Sequence, residues 1–199
     1  MKNDLIALFD MDGTLFDYAG SLKKKLKKIK SPQEPEVSFS FEDNPRYLQN
    51  RIDLITESES FWSDMPKLQL GWDILQIAEE LEYHIHILTQ GPRSNPAAWS
   101  GKKKCIDKHF GEDFSITLTR DKGLVYGTVL VENYPKYIER WLNWRKRGLV
   151  IMPANEFNKS FRHPQVIRYD GSNLEEVGDA MGKRKEEVLE KKESKWKLK

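Results

Sequence analysis

Residues 5–17 read LIALFDMDGTLFD, and the rest of the chain is placed by what these residues do. Five apolar residues, Leu5–Phe9, run into Asp10, Met11, Asp12, Gly13 and Thr14. A short continuous apolar run bounded by a glycine turn has the make-up of a buried parallel strand. Asp10 and Asp12 then stand at that strand's carboxyl end, the edge where open α/β sheets bind ligands. Two carboxylates this close repel each other unless a cation or a shared proton separates them. A divalent cation with oxygen ligands, such as Mg2+, answers that need. The bland alternative is an acidic turn after a strand.

The chain of 199 residues has room for one ordinary domain, or one domain plus a small insertion. At 38% hydrophobic and 32% charged residues it can fill one core under a heavily charged surface. A net charge of +2 offers no global attraction to nucleic acid or membrane, so neither a nucleic-acid polymer nor a membrane is expected as partner. The single cysteine, Cys105, excludes an internal disulfide and points to a reducing compartment. Met1-Lys2-Asn3-Asp4 is followed by too few apolar residues for a secretory leader, and no apolar run reaches the length of a membrane span. The expectation is a soluble, cytoplasmic protein.

Outward from the first strand, Ser21–Lys30 places Leu22, Leu26 and Ile29 at helical spacing among lysines, a basic amphipathic helix stopped before Pro32. Its lysines read as a solvated face or as an electropositive rim for phosphorylated substrates. Residues 31–40 are a proline-bearing loop, and 41–64 hold two short helices. Residues 20–65 therefore interrupt the strand rhythm, and read as a small helical cap over the catalytic end of the sheet, the core being 1–19 and 66–199. From Pro66 on, helix and strand alternate. Leu70, Ile74, Ile77, Ala78 and Leu81 mark a helix. Strands are expected at His84–Leu88, Ser115–Leu118, Thr128–Val131, Leu149–Met152 and Gln165–Tyr169, with helices over Asn95–Phe110, Pro135–Arg147 and from Asn173 onward. The fold class is α/β: a Rossmann-like parallel sheet flanked by helices on both faces, with the cap inserted.

In a parallel sheet the carboxyl ends of all strands share one edge. That edge gathers Asp10 and Asp12, then Thr89, Lys122, and Glu132 with Asn133. Phosphoryl transfer uses such a set. One carboxylate attacks phosphorus, a second acid protonates the leaving oxygen and then activates water, and a metal, a lysine and a hydroxyl neutralise the phosphoryl oxygens.

Asp10-Met11-Asp12-Gly13-Thr14 resembles the first motif, DxDG[TV], of the haloacid dehalogenase (HAD) superfamily of phosphatases. Thr89 resembles its second motif and Lys122 its third. The resemblance implies Asp10 as nucleophile and Asp12 as general acid/base that also lends a backbone carbonyl to Mg2+. It implies Thr89, with Gln90 beside it, and Lys122 as binders of the phosphoryl group. Residues 108–135, KHFGEDFSITLTRDKGLVYGTVLVENYP, are similar to the 5'(3')-deoxyribonucleotidase branch, with a weaker echo at Phe61–Leu68. By that likeness the substrate is a nucleoside monophosphate, the reaction a Mg2+-dependent phosphatase reaction through an aspartyl-phosphate, and a homodimer is to be looked for. The branch's fourth motif carries two aspartates where this chain has Glu132-Asn133, so either residue is a candidate metal ligand. Asn is a neutral donor, which removes one charge from the site.

Two other readings stay open: a phosphatase for another small phosphomonoester, and a non-catalytic phosphate-binding relative with a degraded fourth motif. Phe61 and Trp62, with Phe41 and Tyr47, form either an aromatic platform that stacks a nucleobase or the packing of the cap itself. His84 and His86 share a strand face, which suits packing or exposure better than a metal pair without a third ligand. Arg120 is either a phosphate ligand or an exposed salt-bridging residue.

Overall fold

The apolar runs form strands where the sequence places them, with ends shifted by one or two residues. The computed structural model describes residues 5–40 and 44–196. Its strands are β1 (Ile6–Phe9), β2 (His84–Gln90), β3 (Ile116–Thr119), β4 (Val129–Val131), β5 (Leu149–Pro153) and β6 (Val166–Tyr169). They form one six-stranded sheet in the order β3-β2-β1-β4-β5-β6, and every pairing is parallel. The order reverses at β1, with β2 on one side and β4 on the other. Such a reversal opens a crevice beyond the carboxyl ends of the flanking strands.

The chain divides into two compact units. The first comprises Met1–Leu15, Leu68–Gln90 and Ser115–Lys199, and holds the sheet. Register puts Leu8, Leu130 and Val150 on one face, where Ile138, Trp141 and Leu142 of α6 (Pro135–Leu142) cover them. The helix expected over Pro135–Arg147 ends at Leu142 and continues as turns up to Gly148. The other face carries Ala7, Phe9, Val129, Val131 and Ile151, all fully buried. Helices α4 (Gln69–Glu80) and α7 (Leu174–Trp196) pack on each other and against β2, β5 and β6. Tyr83, just past α4, donates its hydroxyl to the Met181 carbonyl of α7 at 2.9 Å, and Tyr169 of β6 donates to Asp73 of α4 at 2.8 Å. His84 is exposed, and His86 bonds Thr117 of the neighbouring strand at 2.8 Å, so one histidine faces solvent and the other packs on the sheet. Among the described residues no helix is long and apolar enough to cross a membrane.

The second unit comprises Phe16–Lys67 and Gly91–Phe114. It holds α1 (Tyr18–Ile29), α2 (Arg46–Thr56), α3 (Glu59–Ser63) and α5 (Pro96–Phe110). The expected cap ended at residue 65, whereas this unit also takes α5 from the α/β rhythm. The cause is local. Gly101 of α5 lets the helices meet so closely that a Cβ there would lie 2.5 Å from the Glu59 carbonyl oxygen. Ser100 and Lys104 of the same helix bond the two oxygens of the Glu59 carboxylate at 2.6 and 2.5 Å. Phe61 and Trp62 point inward, 2% and 4% exposed, and pack edge-on at 5.2 Å and against Tyr18 at 5.6 and 5.5 Å. The Trp62 indole donates to the Thr56 carbonyl at 2.7 Å. These two rings are therefore the core of the helical unit and offer no free face for a nucleobase. Tyr47 is half exposed beside the Arg51 guanidinium, and Phe41 lies outside the described residues.

Candidate active site

Asp10, Asp12, Thr89, Gln90, Lys122, Glu132 and Asn133 all belong to the sheet-bearing unit. Asp10 is the first residue past β1, and its N–H donates to the Val131 carbonyl of β4 at 2.9 Å, which carries the sheet's pairing up to the carboxylate. Gly13 has φ +76°, a left-handed conformation that turns the chain sharply after Asp12. A Cβ at Gly13 would come within 2.5 Å of the Asn133 side-chain amide, so the glycine also gives Asn133 its place. The turn closes with Leu15 N–H donating to the Met11 carbonyl at 3.0 Å.

Lys122 enters from a short 3-10 turn, Lys122–Leu124, that follows β3. Asp121 caps that turn by accepting from the Gly123 N–H at 2.9 Å, and Arg140 of α6 grips Asp121 at 2.5 Å. The Arg140 hydrogen bond holds the Asp121 carboxyl below its usual range. So anchored, Lys122 is 2% exposed and places Nζ 2.5 Å from Asp10 Oδ1 and 2.5 Å from Glu132 Oε2. Its Nζ also lies 4.9 Å from the Tyr137 ring centre. Burial alone would lower the lysine's pKa; the two carboxylates outweigh it and hold the ammonium charged. Burial and the neighbouring Asp10 charge push Glu132 up to about 7, with Lys122 opposing. Two acids thus share one ammonium in a dry site.

Glu132 is fully engaged, because its second oxygen, Oε1, accepts from the Tyr134 N–H at 3.0 Å. Asn133 faces the turn of Asp12 and Thr14. Its amide can be seated in two ways. In one, the NH2 donates to Glu132 Oε1 at 3.2 Å, the Asp12 carbonyl at 3.3 Å and Thr14 Oγ1 at 3.2 Å, while the oxygen accepts from Asn155 Nδ2 at 3.1 Å. In the other, the amide oxygen accepts from Thr14 Oγ1 and faces the Glu132 and Asp12 oxygens with no proton between them. Oxygens gathered that way suit a hard cation. The Asp12 carbonyl and the Asn133 amide oxygen, so oriented, are donors of the kind Mg2+ takes, whereas Glu132 is already bound to Lys122 and to the Tyr134 N–H. Among the described residues, no three His, Cys, Asp or Glu side chains gather as possible metal ligands.

Thr89 is fully buried near the end of β2, and Gln90 ends that strand, which pairs directly with β1. Lys122 bonds both Asp10 and Glu132; Asp12, Thr14 and Asn133 meet through the Asn133 amide. Arg120 is exposed. Asn155 and Asn158, in the loop after β5, belong to no motif, and sequence reasoning misses them. Asn158 is fully buried and donates to the Asn133 and Pro153 carbonyls at 3.0 and 2.8 Å, tying the loops after β4 and β5 together. The one signal for them in the sequence is a fifth strand end on the same edge.

No protein-family model matches the sequence, and no curated protein does. Solved structures do match. One, described as a haloacid dehalogenase-like hydrolase from Burkholderia xenovorans, aligns with a TM-score of 0.52 at 15% identity over 90% of this chain and 95% of that one. Another, the HAD-hydrolase YfnB from Bacillus subtilis described with bound magnesium, aligns with a TM-score of 0.52 at 11% identity over 90% and 99%. The fold is the HAD-type α/β fold. At such identities the likeness concerns fold, and function has to be argued from the site.

Proposed function

We propose that this protein is a phosphomonoesterase that works through an aspartyl-phosphate on Asp10. The observation that carries the reading is the buried Lys122 ammonium, 2.5 Å from Asp10 Oδ1 at the sheet's switch point. A lysine so placed positions Asp10 and meets the negative charge of an arriving phosphate. The other Asp10 oxygen attacks phosphorus, the ester P–O bond breaks, and the leaving oxygen takes the proton of the Asp12 carboxyl. Asp12, now a carboxylate, takes a proton from water as that water's oxygen attacks phosphorus, and the bond to Asp10 breaks. Asp10, the Asp12 carbonyl and Asn133 would hold a divalent cation, which would further neutralise the phosphoryl oxygens. Thr89 and Gln90 bind the phosphoryl group from the neighbouring strand.

The substrate class is a nucleoside monophosphate, supported by the sequence likeness of residues 108–135 and not by Phe61 and Trp62, which are core residues. A phosphate-release screen over nucleotides and sugar phosphates with Mg2+ tests both levels. Turnover on a nucleoside monophosphate, falling to background in Asp10→Asn, supports the whole reading. Turnover on sugar phosphates alone removes the substrate and keeps the chemistry. Absence of turnover on every phosphomonoester overturns the enzyme. It would favour a phosphate-binding relative, a reading that rests on Asn133 standing where a carboxylate is expected.

A further inference from the structure

A lysine ammonium has three protons to place, and Lys122 donates to two carboxylates, Asp10 Oδ1 and Glu132 Oε2, each at 2.5 Å. Its Nζ also stands over the ring of Tyr137, 4.9 Å from the ring centre and inside the range of a cation–π contact. Tyr137 sits in the first turn of α6, whose start Pro135 fixes. Its N–H donates to the Tyr134 carbonyl at 3.1 Å, and the two tyrosine rings meet at 5.2 Å with 61° between their planes. The Tyr134 N–H in turn holds Glu132 Oε1 at 3.0 Å. From the other side, Gly123 lets the Lys122 turn lie directly on α6, since a Cβ there would come within 3.0 Å of the Arg140 carbonyl oxygen. One short stretch, 132–137, therefore brings both a carboxylate and a ring to the same ammonium.

The chemistry of this place favours a neutral ring over the alternatives. A further carboxylate would cancel what attraction the ammonium keeps for a phosphate, and a water would leave a flexible lysine free to turn away from Asp10. An aromatic ring attracts the cation with the negative face of its π system, adds no net charge and excludes water. Burial pushes the Tyr137 phenol up, with Lys122 opposing, so the side chain is neutral at ordinary pH. The ring is half-buried, whereas Lys122 beneath it is almost wholly so. We propose that Tyr137 is a positioning residue of this site: its ring, and not its hydroxyl, holds the Lys122 ammonium on Asp10. It acts through Lys122 and not by touching the reacting atoms. Its effect on turnover rests on the phosphomonoesterase reading, while the hold of the ring on the ammonium does not.

The test compares the full-length parent, Tyr137→Phe and Tyr137→Leu by two readouts. One is the NMR signal of the Lys122 ammonium protons in protein carrying 15N-lysine; the other is steady-state turnover of p-nitrophenyl phosphate with Mg2+. A ring face shields the protons above it, so the Lys122 signal is expected to stay in place in Tyr137→Phe and to move downfield in Tyr137→Leu. In parallel kcat is expected to fall about tenfold in Tyr137→Leu and to return to within about threefold of the parent in Tyr137→Phe. Tyr137→Met gives the same reading should the leucine variant lose its fold. Equal shifts of the Lys122 signal in the leucine and phenylalanine variants, a folded leucine variant with the parental kcat, or a phenylalanine variant as slow as the leucine one, overturn the proposal. Absence of turnover in the parent removes the phosphomonoesterase reading instead, and the shift of the Lys122 signal then upholds or overturns the hold of the ring by itself.

Discussion

One ammonium group between two buried carboxylates makes Lys122 the residue on which the site's electrostatics turn. Removing it leaves Asp10 and Glu132, 4% and 1% exposed, facing each other without compensation. Breaking a buried pair by deleting one partner costs about 3–5 kcal/mol. Lys122→Met is therefore expected to lower the urea midpoint by a corresponding amount and to abolish turnover. Adding Glu132→Gln to it removes one of the stranded charges, so the double variant should recover part of the stability but none of the activity. A single Lys122→Met variant as stable as the parent would show that this network is not the dry triad described. Lys122 itself was legible in the sequence, since it follows an apolar run in the right strand order. The role of Glu132 was not: a glutamate at a strand end reads equally as metal ligand or lysine partner, and only the direction of its two oxygens separates these.

At the scale of elements, two helical glycines are expected to respond in opposite ways. Gly101→Ala puts a methyl 2.5 Å from the Glu59 carbonyl oxygen, which belongs to backbone and cannot swing aside. Overpacking of this kind costs about 1–3 kcal/mol and should separate α3 from α5, seen as faster amide exchange in both. Gly182→Ala in α7 meets nothing within 4 Å, and removing glycine from a helix interior should stabilise by about 0.5–1 kcal/mol. Helix α7 is also tied down by Tyr83, whose hydroxyl burial pushes up to about 12. The unfolded chain ionises this phenol near its ordinary value of 10. The stability it lends is thus complete below pH 10 and is lost as pH rises from there toward 12. Tyr169, likewise pushed up to about 12, titrates in the same window. Urea midpoints at pH 8, 10 and 11 should fall in the parent, and fall less steeply in Tyr83→Phe. Helix α4 and its stripe were evident from spacing alone. The attachment of α5 to the second unit was not, because it depends on how closely one glycine lets two helices approach.

Across the whole molecule, the alternation of apolar runs and amphipathic stretches conveyed a parallel sheet, and the polar residues after each run conveyed the edge that carries the chemistry. Strand order and the Asn155–Asn158 bracing of Asn133 were beyond reach, since they join segments far apart in sequence through irregular loops. That bracing makes a cation at Asn133 a matter of global stability. A ligand that binds only the folded state stabilises it by about 2.7 kcal/mol at a hundred times its Kd. For a chain of this size each kcal/mol raises Tm by about 2–4 °C, so Mg2+ should raise Tm by roughly 5–10 °C over EDTA. Asn133→Asp sharpens the expectation. Without metal it brings another carboxylate beside Glu132, whose Oε1 is 3.2 Å from the nearer amide position, and Tm in EDTA should fall below that of the parent. With Mg2+ the added charge becomes an attraction, so the rise in Tm should exceed the parent's. Thermal melts of the two proteins, each with EDTA and with Mg2+, decide this. An equal Mg2+ response in both would put the cation somewhere other than between Asp10 and Asn133.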